Sequence, residues 1–233
     1  MANIINVQGL SKSYGKKVVL DNVSFEIEEG SIVGLLGPNG CGKTTLIKIL
    51  TGLIKDHTGT VKIANEEIGA YTKSLVAFLP DTSYLPDWMK PGDAIEYFAD
   101  FYEDFNKDKA IRMVTDFGLD PRQKFKTMSK GQQEKLSLIL VMCRQAKLYV
   151  LDEPLGGLDP AARSAILELI MNNYAKNAAV LLSTHLINDV EKIFNRVLMI
   201  SGGKVVVNSH VDEIKEKDKT VEDVFKEVFS YAW

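Results

Sequence analysis

Cysteine is almost absent from this chain. Its 233 residues hold two, Cys41 and Cys143, far apart in sequence. That excludes a disulfide framework and any zinc-ligand spacing. The three histidines, His57, His185 and His210, are equally scattered. No apolar run approaches the ~18 residues of a membrane-spanning helix. The first residues, Met1-Ala2-Asn3-Ile4, show no charged stretch ahead of an apolar one, so no signal peptide is expected. Neither sign of charge dominates: 28 Lys and Arg stand against 31 Asp and Glu, a net −3. Such a balance gives no electrostatic footprint for nucleic acid, and no nucleic-acid partner is expected. No repeat or low-complexity tract occurs. What remains is the 45% apolar content of an ordinary globular protein, expected in the cytoplasm. Its length suits one large domain or two small ones. Such a chain buries roughly 70–75% of its unfolded surface, enough for a core without staples.

Strand and helix patterns alternate along the chain. Val23, Phe25 and Ile27 alternate with polar residues, which predicts a half-buried strand. Ile32-Val33-Gly34-Leu35-Leu36 is continuously apolar, as in a parallel strand buried on both faces. Thr44 to Leu50 reads as a helix closing near Gly52. Apolar runs recur at Leu75–Leu79, Leu148–Leu151 and Val180–Leu182, with helical patterns between them. The pattern predicts an α/β fold with a mainly parallel sheet. Gly202-Gly203 reads as a tight hairpin turn. From about Thr82 to Met128 the composition shifts to aromatics and charge, which predicts a helical insertion. Thr220-Val221-Glu222-Asp223 resembles a capping box for a last helix at about 220–233. Its apolar stripe packs either on its own domain or on a partner.

Two clusters carry chemistry. Gly37-Pro38-Asn39-Gly40-Cys41-Gly42-Lys43-Thr44 fits G-x-x-x-x-G-K-[ST], set between a buried strand and a helix. Its glycines let backbone N–H groups converge on phosphate oxygens, and the helix dipole points at the same anion. Lys43 adds a point charge, Thr44 offers a hydroxyl to Mg²⁺, and Thr45 follows in the helix. Cys41, beside a helix N-terminus, is expected to favour its thiolate. The motif predicts a nucleoside triphosphate, and the lack of Asn-Lys-x-Asp argues against guanine. The second cluster is Asp152-Glu153, which ends the run Leu148–Leu151. Adjacent carboxylates at a strand end are expected next to the phosphate loop. There Asp152 serves the Mg²⁺ shell and Glu153 polarises the attacking water.

Between the clusters lies Met128-Ser129-Lys130-Gly131-Gln132-Gln133, which resembles the Leu-Ser-Gly-Gly-Gln signature of ATP-binding cassette (ABC) ATPases. The order of cradle, signature and acidic pair extends the resemblance over nearly the whole chain. It implies a P-loop NTPase fold: a RecA-like α/β core (1–81 and 132–210), an antiparallel β subdomain and a helical subdomain (about 82–131), all in one ATPase domain. It also implies hydrolysis of ATP to ADP and phosphate with Mg²⁺. Two chains, as a homodimer or with another ABC ATPase, would sandwich two ATP molecules head to tail. Tyr14 resembles the aromatic that stacks on adenine, and His185 the switch histidine that reaches the γ-phosphate. Asp159, in Gly157-Leu158-Asp159, resembles the D-loop aspartate. Ser129, Gly131 and Gln132 would cap the partner's ATP.

The chain departs from the family twice. Lys130 replaces a glycine, and either adds charge near the composite site or points to solvent. Asp81 stands where the family has Gln, and is expected either to reach the metal through water or to cap a turn. The aromatics from Tyr84 to Phe105 suit either subdomain core or a docking groove. Read whole, the chain resembles the ATPase subunit of a bacterial export-type transporter. It would sit on the inner face of the membrane against separate transmembrane permease subunits. The other readings are a soluble ABC ATPase of DNA repair or translation and a nucleotide-binding regulatory module.

Overall fold

The protein is described by a computed structural model covering residues 2–175 and 177–230. Its central sheet runs in the order β10-β9-β3-β8-β7-β6. At its middle is β3 (Ile32–Leu36), buried at all five positions. It pairs in parallel with β8 (Ala179–Ser183) and β9 (Arg196–Ser201). Beyond β8 lie β7 (Leu148–Asp152) and the edge strand β6 (Val76–Leu79), also parallel. Continuous apolar runs become such strands because both faces must be covered. The antiparallel edge comes from β10 (Lys204–His210), joined to β9 through Gly202 and Gly203. Both glycines have positive φ, 52° and 78°, as a two-residue hairpin requires.

The second sheet is antiparallel, in the order β2-β1-β4-β5. It comprises β1 (Asn3–Tyr14), β2 (Lys17–Glu28), β4 (Thr58–Ile63) and β5 (Glu66–Glu67). In β2, Val23, Phe25 and Ile27 point inward, as the alternation predicts, and Leu20 is buried beyond a shift of register. Between the sheets lies α1 (Lys43–Leu50), with Leu46, Ile47, Ile49 and Leu50 buried. One apolar cluster therefore fills the space between the sheets, and a second lies on the other face of the parallel sheet, under the helices. The short α2 (Ala70–Ser74) leads into β6.

The predicted insertion holds α3 (Pro91–Phe101) and α4 (Lys107–Asp116). Pro91 occupies the first turn of α3, where its missing N–H costs nothing. Asn106 caps α4 by accepting from the Lys109 N–H at 2.9 Å. The helix that follows, α5 (Lys130–Met142), is buried at every position from Leu136 to Met142. Its first turn belongs to the inserted region, and its last turns are core. Then come α6 (Pro160–Asn173), the short α7 (Ile187–Val190) and α8 (Val211–Lys215), and α9 (Val221–Phe229). In α9, Thr220 and Asp223 exchange bonds as a capping box, at 2.9 and 3.0 Å. Its apolar stripe packs on the chain's own core, not outward. Residues 231–233 of the expected last helix lie outside the described residues.

Arg144 ties the insertion to the sheet edge. Its guanidinium donates to both Asp104 oxygens (2.9 and 3.0 Å) and to the carbonyls of Val76 and Ser74 (2.6 Å each). It also lies 4.0 Å from the centre of the Tyr102 ring. Arg144→Met strands a half-buried carboxylate and two carbonyls. We expect a loss of about 3–5 kcal/mol, the cost of removing one partner from a buried ion pair. A denaturant titration against the wild type checks it.

Candidate nucleotide site

Three neighbouring parallel strands, β3, β8 and β7, end side by side, and each end carries part of the site. From β3 the chain enters the Gly37–Thr44 loop. Gly37 has φ 154°, and a side chain there would come 2.7 Å from the Cys41 sulfur. Gly42, with φ 114°, backs onto the Val19 carbonyl, 2.9 Å from where a Cβ would sit. Only glycine fits at these two points. Gly42 also begins α1 without any side-chain cap. The first amides of α1 therefore face the loop unpaired, an arrangement suited to an anion. Lys43 is buried, and its ammonium donates to the carbonyls of Gly37 (2.7 Å) and Pro38 (3.2 Å).

Cys41 differs from its expectation. Its thiol is buried in the cluster between the sheets, and burial pushes its pKa up against the opposing charge of Lys43. A thiolate is disfavoured there, because lost hydration outweighs the charge and the helix end. The Cys41 sulfur is thus turned into the core, and its N–H closes the loop on the Pro38 carbonyl at 3.3 Å.

At the end of β7, Asp152 is only 2% exposed. The acidic pair stands beside the phosphate loop, within reach of Thr44, although β8 lies between β3 and β7. The gap is bridged by Ser183, at the end of β8, whose hydroxyl donates to Asp152, while the Thr44 hydroxyl of α1 lies close enough to pull the Asp152 pKa down. Burial raises the Asp152 pKa; the Ser183 bond opposes this, and the charges of Asp81 and Glu153 add to it. Ser183 also accepts the Glu153 N–H, at 3.0 Å to its hydroxyl and 3.1 Å to its carbonyl. Glu153 needs that support, because its φ of 50° is unusual for a residue with a side chain. Its carboxylate lies 2.9 Å from His185 Nδ1. Ser183 was not singled out in the sequence; its only signal was a hydroxyl closing an otherwise apolar strand.

The remaining candidates fall in three places. Asp81 is exposed just after β6, near enough to Asp152 for their charges to interact. Tyr14, half exposed at the end of β1, lies under the Lys12 ammonium, 4.9 Å from the ring centre. Its hairpin continues to Val19 and Leu20, which back onto Gly42. Ser129 caps α5 and exchanges bonds with Gln132, at 2.9 and 3.3 Å. Asp159 caps α6 by accepting from the Ala162 N–H at 3.0 Å. Among the described residues, no hydrogen bond joins the Ser129–Gln132 turn to the phosphate loop. It faces Leu158 and Ala162 instead, each 3.9 Å from a Cβ position on Gly131. Lys130 is exposed, yet the far end of its side chain lies over Gly157.

Beside Asp81 and Asp152 opens a groove of about 880 Å³ between the insertion and the core. Leu53, Trp88, Tyr97 and Phe101 line it, each more than half exposed. Lys48 and Lys73 stand along it as well.

Comparison with known proteins points one way. A family model described as ABC transporter matches residues 20–156. The uncharacterized ABC transporter ATP-binding protein YdbJ of Bacillus subtilis is 34% identical, over 97% of this chain and 74% of its own length. SkfE, the SkfA peptide export ATP-binding protein of the same organism, is 31% identical, over 96% of each chain. A solved ATP-binding subunit of an ABC transporter superposes with a TM-score of 0.86 at 27% identity, covering 96% of this chain and 98% of its own. A nucleotide-free ATP-binding cassette from another transporter shares the fold, with a TM-score of 0.79, 21% identity and coverage of 92% and 94%.

Proposed function

The chain belongs to the ABC transporter family, and from that premise we propose how its residues work. It is the ATP-binding subunit of a transporter. The observation that carries the mechanism is the meeting of Asp152, Glu153 and His185 around Ser183, beside the loop that carries Lys43. The loop amides and the Lys43 ammonium hold the phosphates of ATP, Lys43 exchanging its bonds to Gly37 and Pro38 for phosphate oxygens. Glu153 takes a proton from water attacking the γ-phosphate. His185, bonded to Glu153, holds that carboxylate in place and reaches the same phosphate. Tyr14 stacks on the adenine ring.

The site fits Mg²⁺. Thr44 and Asp152 offer neighbouring oxygens that would hold the ion, and among the groups acting on the buried carboxylate no cation offsets its lost hydration. When bound, the ion would neutralise phosphate charge.

Ser129, Gly131 and Gln132 cap the ATP held by a second subunit, identical or related, with Asp159 at the seam. Binding closes the pair and hydrolysis opens it. The aromatic groove receives a permease segment, which holds the chain on the cytoplasmic face of the membrane; none of its described helices is long and apolar enough to cross. The kinship with SkfE favours export. Trp88→Glu tests the docking, because Trp88 is 63% exposed and its loss leaves the fold intact. Wild-type chain co-expressed with its permease should retain it through purification in detergent, and the variant should lose it. Retention by Trp88→Glu rejects the groove as the docking site.

Asp81 serves the metal shell through water. Asp81→Gln should then keep turnover within about tenfold, roughly 1.4 kcal/mol of barrier. Asp81→Ala should raise the Mg²⁺ concentration for half-maximal turnover. Identical magnesium titrations for wild type and Asp81→Ala would leave Asp81 as a turn cap.

A further inference from the structure

Within one chain, the turn that carries Glu153 is packed against the turn that carries Ser129. Gly157 stands at φ 70°, and a methyl group there would overlap the Lys130 ammonium. It would also lie 3.2 Å from Lys130 Cε and 3.6 Å from Cδ. The far end of the lysine side chain therefore lies over Gly157, its ammonium nearest, on an otherwise exposed residue. The next residue, Gly131, faces Leu158, which is buried and anchors the contact. Upstream the segment is tightly closed. The Gly156 N–H donates to the Glu153 carbonyl at 3.0 Å, and the Leu158 N–H reaches the Leu155 carbonyl at 3.4 Å. A displacement of Glu153 therefore reaches Gly157 with little slack.

We propose that Lys130 is a positioning residue whose side-chain end, lying over Gly157, couples the Glu153 turn to the Ser129–Gly131 turn. The inference rests on the sandwich reading above, in which these two turns serve different ATP molecules. A change at one nucleotide is then passed to the other through a contact inside a single chain. A glycine in place of Lys130 has no side chain to make this contact. The coupling is therefore a property of this residue and not of the turn alone.

The test uses the purified full chain and its ATP dependence of hydrolysis. Wild type should be cooperative, with a Hill coefficient approaching the limit of about 2 for two sites. Lys130→Ala should bring it to about 1. Lys130→Met keeps the side chain as far as the Cε position and should stay cooperative. The melting temperature of Lys130→Ala should stay within about 2 °C of wild type, as for a surface change. A Hill coefficient of about 1 in wild type, or an unchanged one in Lys130→Ala, overturns the coupling. The sandwich has its own control, the ATP-bound dimer of Glu153→Gln on size exclusion. If that dimer forms while Lys130→Ala stays cooperative, only the coupling fails. If it does not form, the sandwich of two identical chains fails.

Discussion

Glu153→Gln should bind ATP and hydrolyse it about 10²–10⁴ times more slowly than wild type, the usual cost of losing a general base. The amide keeps the size of the carboxylate but accepts no proton from water. The surroundings favour a clean result. Ser183 holds the Glu153 backbone through the N–H, which the substitution leaves alone. The side chain changes only its bond to His185, which an amide still makes. Trapped ATP should hold two chains together, visible as a dimer on size exclusion with ATP and Mg²⁺. Rapid turnover in the variant would remove Glu153 from the chemistry. A monomer with ATP demonstrably bound would instead remove the sandwich of two identical chains.

Lys43→Ala should abolish most ATP binding. Lys43 is the one cation within the phosphate loop. A hydrogen bond to a charged group contributes about 1.5–3 kcal/mol, so affinity should fall by roughly 10- to 150-fold. Its bonds to Gly37 and Pro38 would also be lost, but both acceptors are loop carbonyls that water can serve. Stability should therefore change far less than affinity. Calorimetric titration with ATP measures the first and thermal melting the second. Unchanged affinity would sink the assignment of Gly37–Thr44 as the phosphate cradle.

Much of this was legible in the residues. The run Ile32–Leu36 could only be a strand buried on both sides. The glycines and lysine after it fit a helix-capping anion cradle, because the backbone conformation they permit is local. The hairpin at Gly202-Gly203 and the capping box at Thr220 were likewise local matters of backbone torsion and neighbouring hydrogen bonds. The acidic pair was legible as chemistry only beside the phosphate cradle, because two carboxylates at the end of an apolar strand are common on solvent-facing turns.

Strand order was not legible. Sequence shows that β3, β7 and β8 are parallel strands but not which pair is adjacent, since every such run buries both faces alike. Only the tertiary structure puts β8 between the others, and with it Ser183 against Asp152 and Glu153. Burial was equally invisible at Cys41, where the core decides against the thiolate that a helix end alone would favour. The same holds for Lys130, whose position in a motif suggested charge or solvent. Its contact with Gly157 depends on how α5 meets the turn before α6. Local geometry is written in neighbouring residues; desolvation and adjacency depend on segments far apart in sequence, and only packing brings those together.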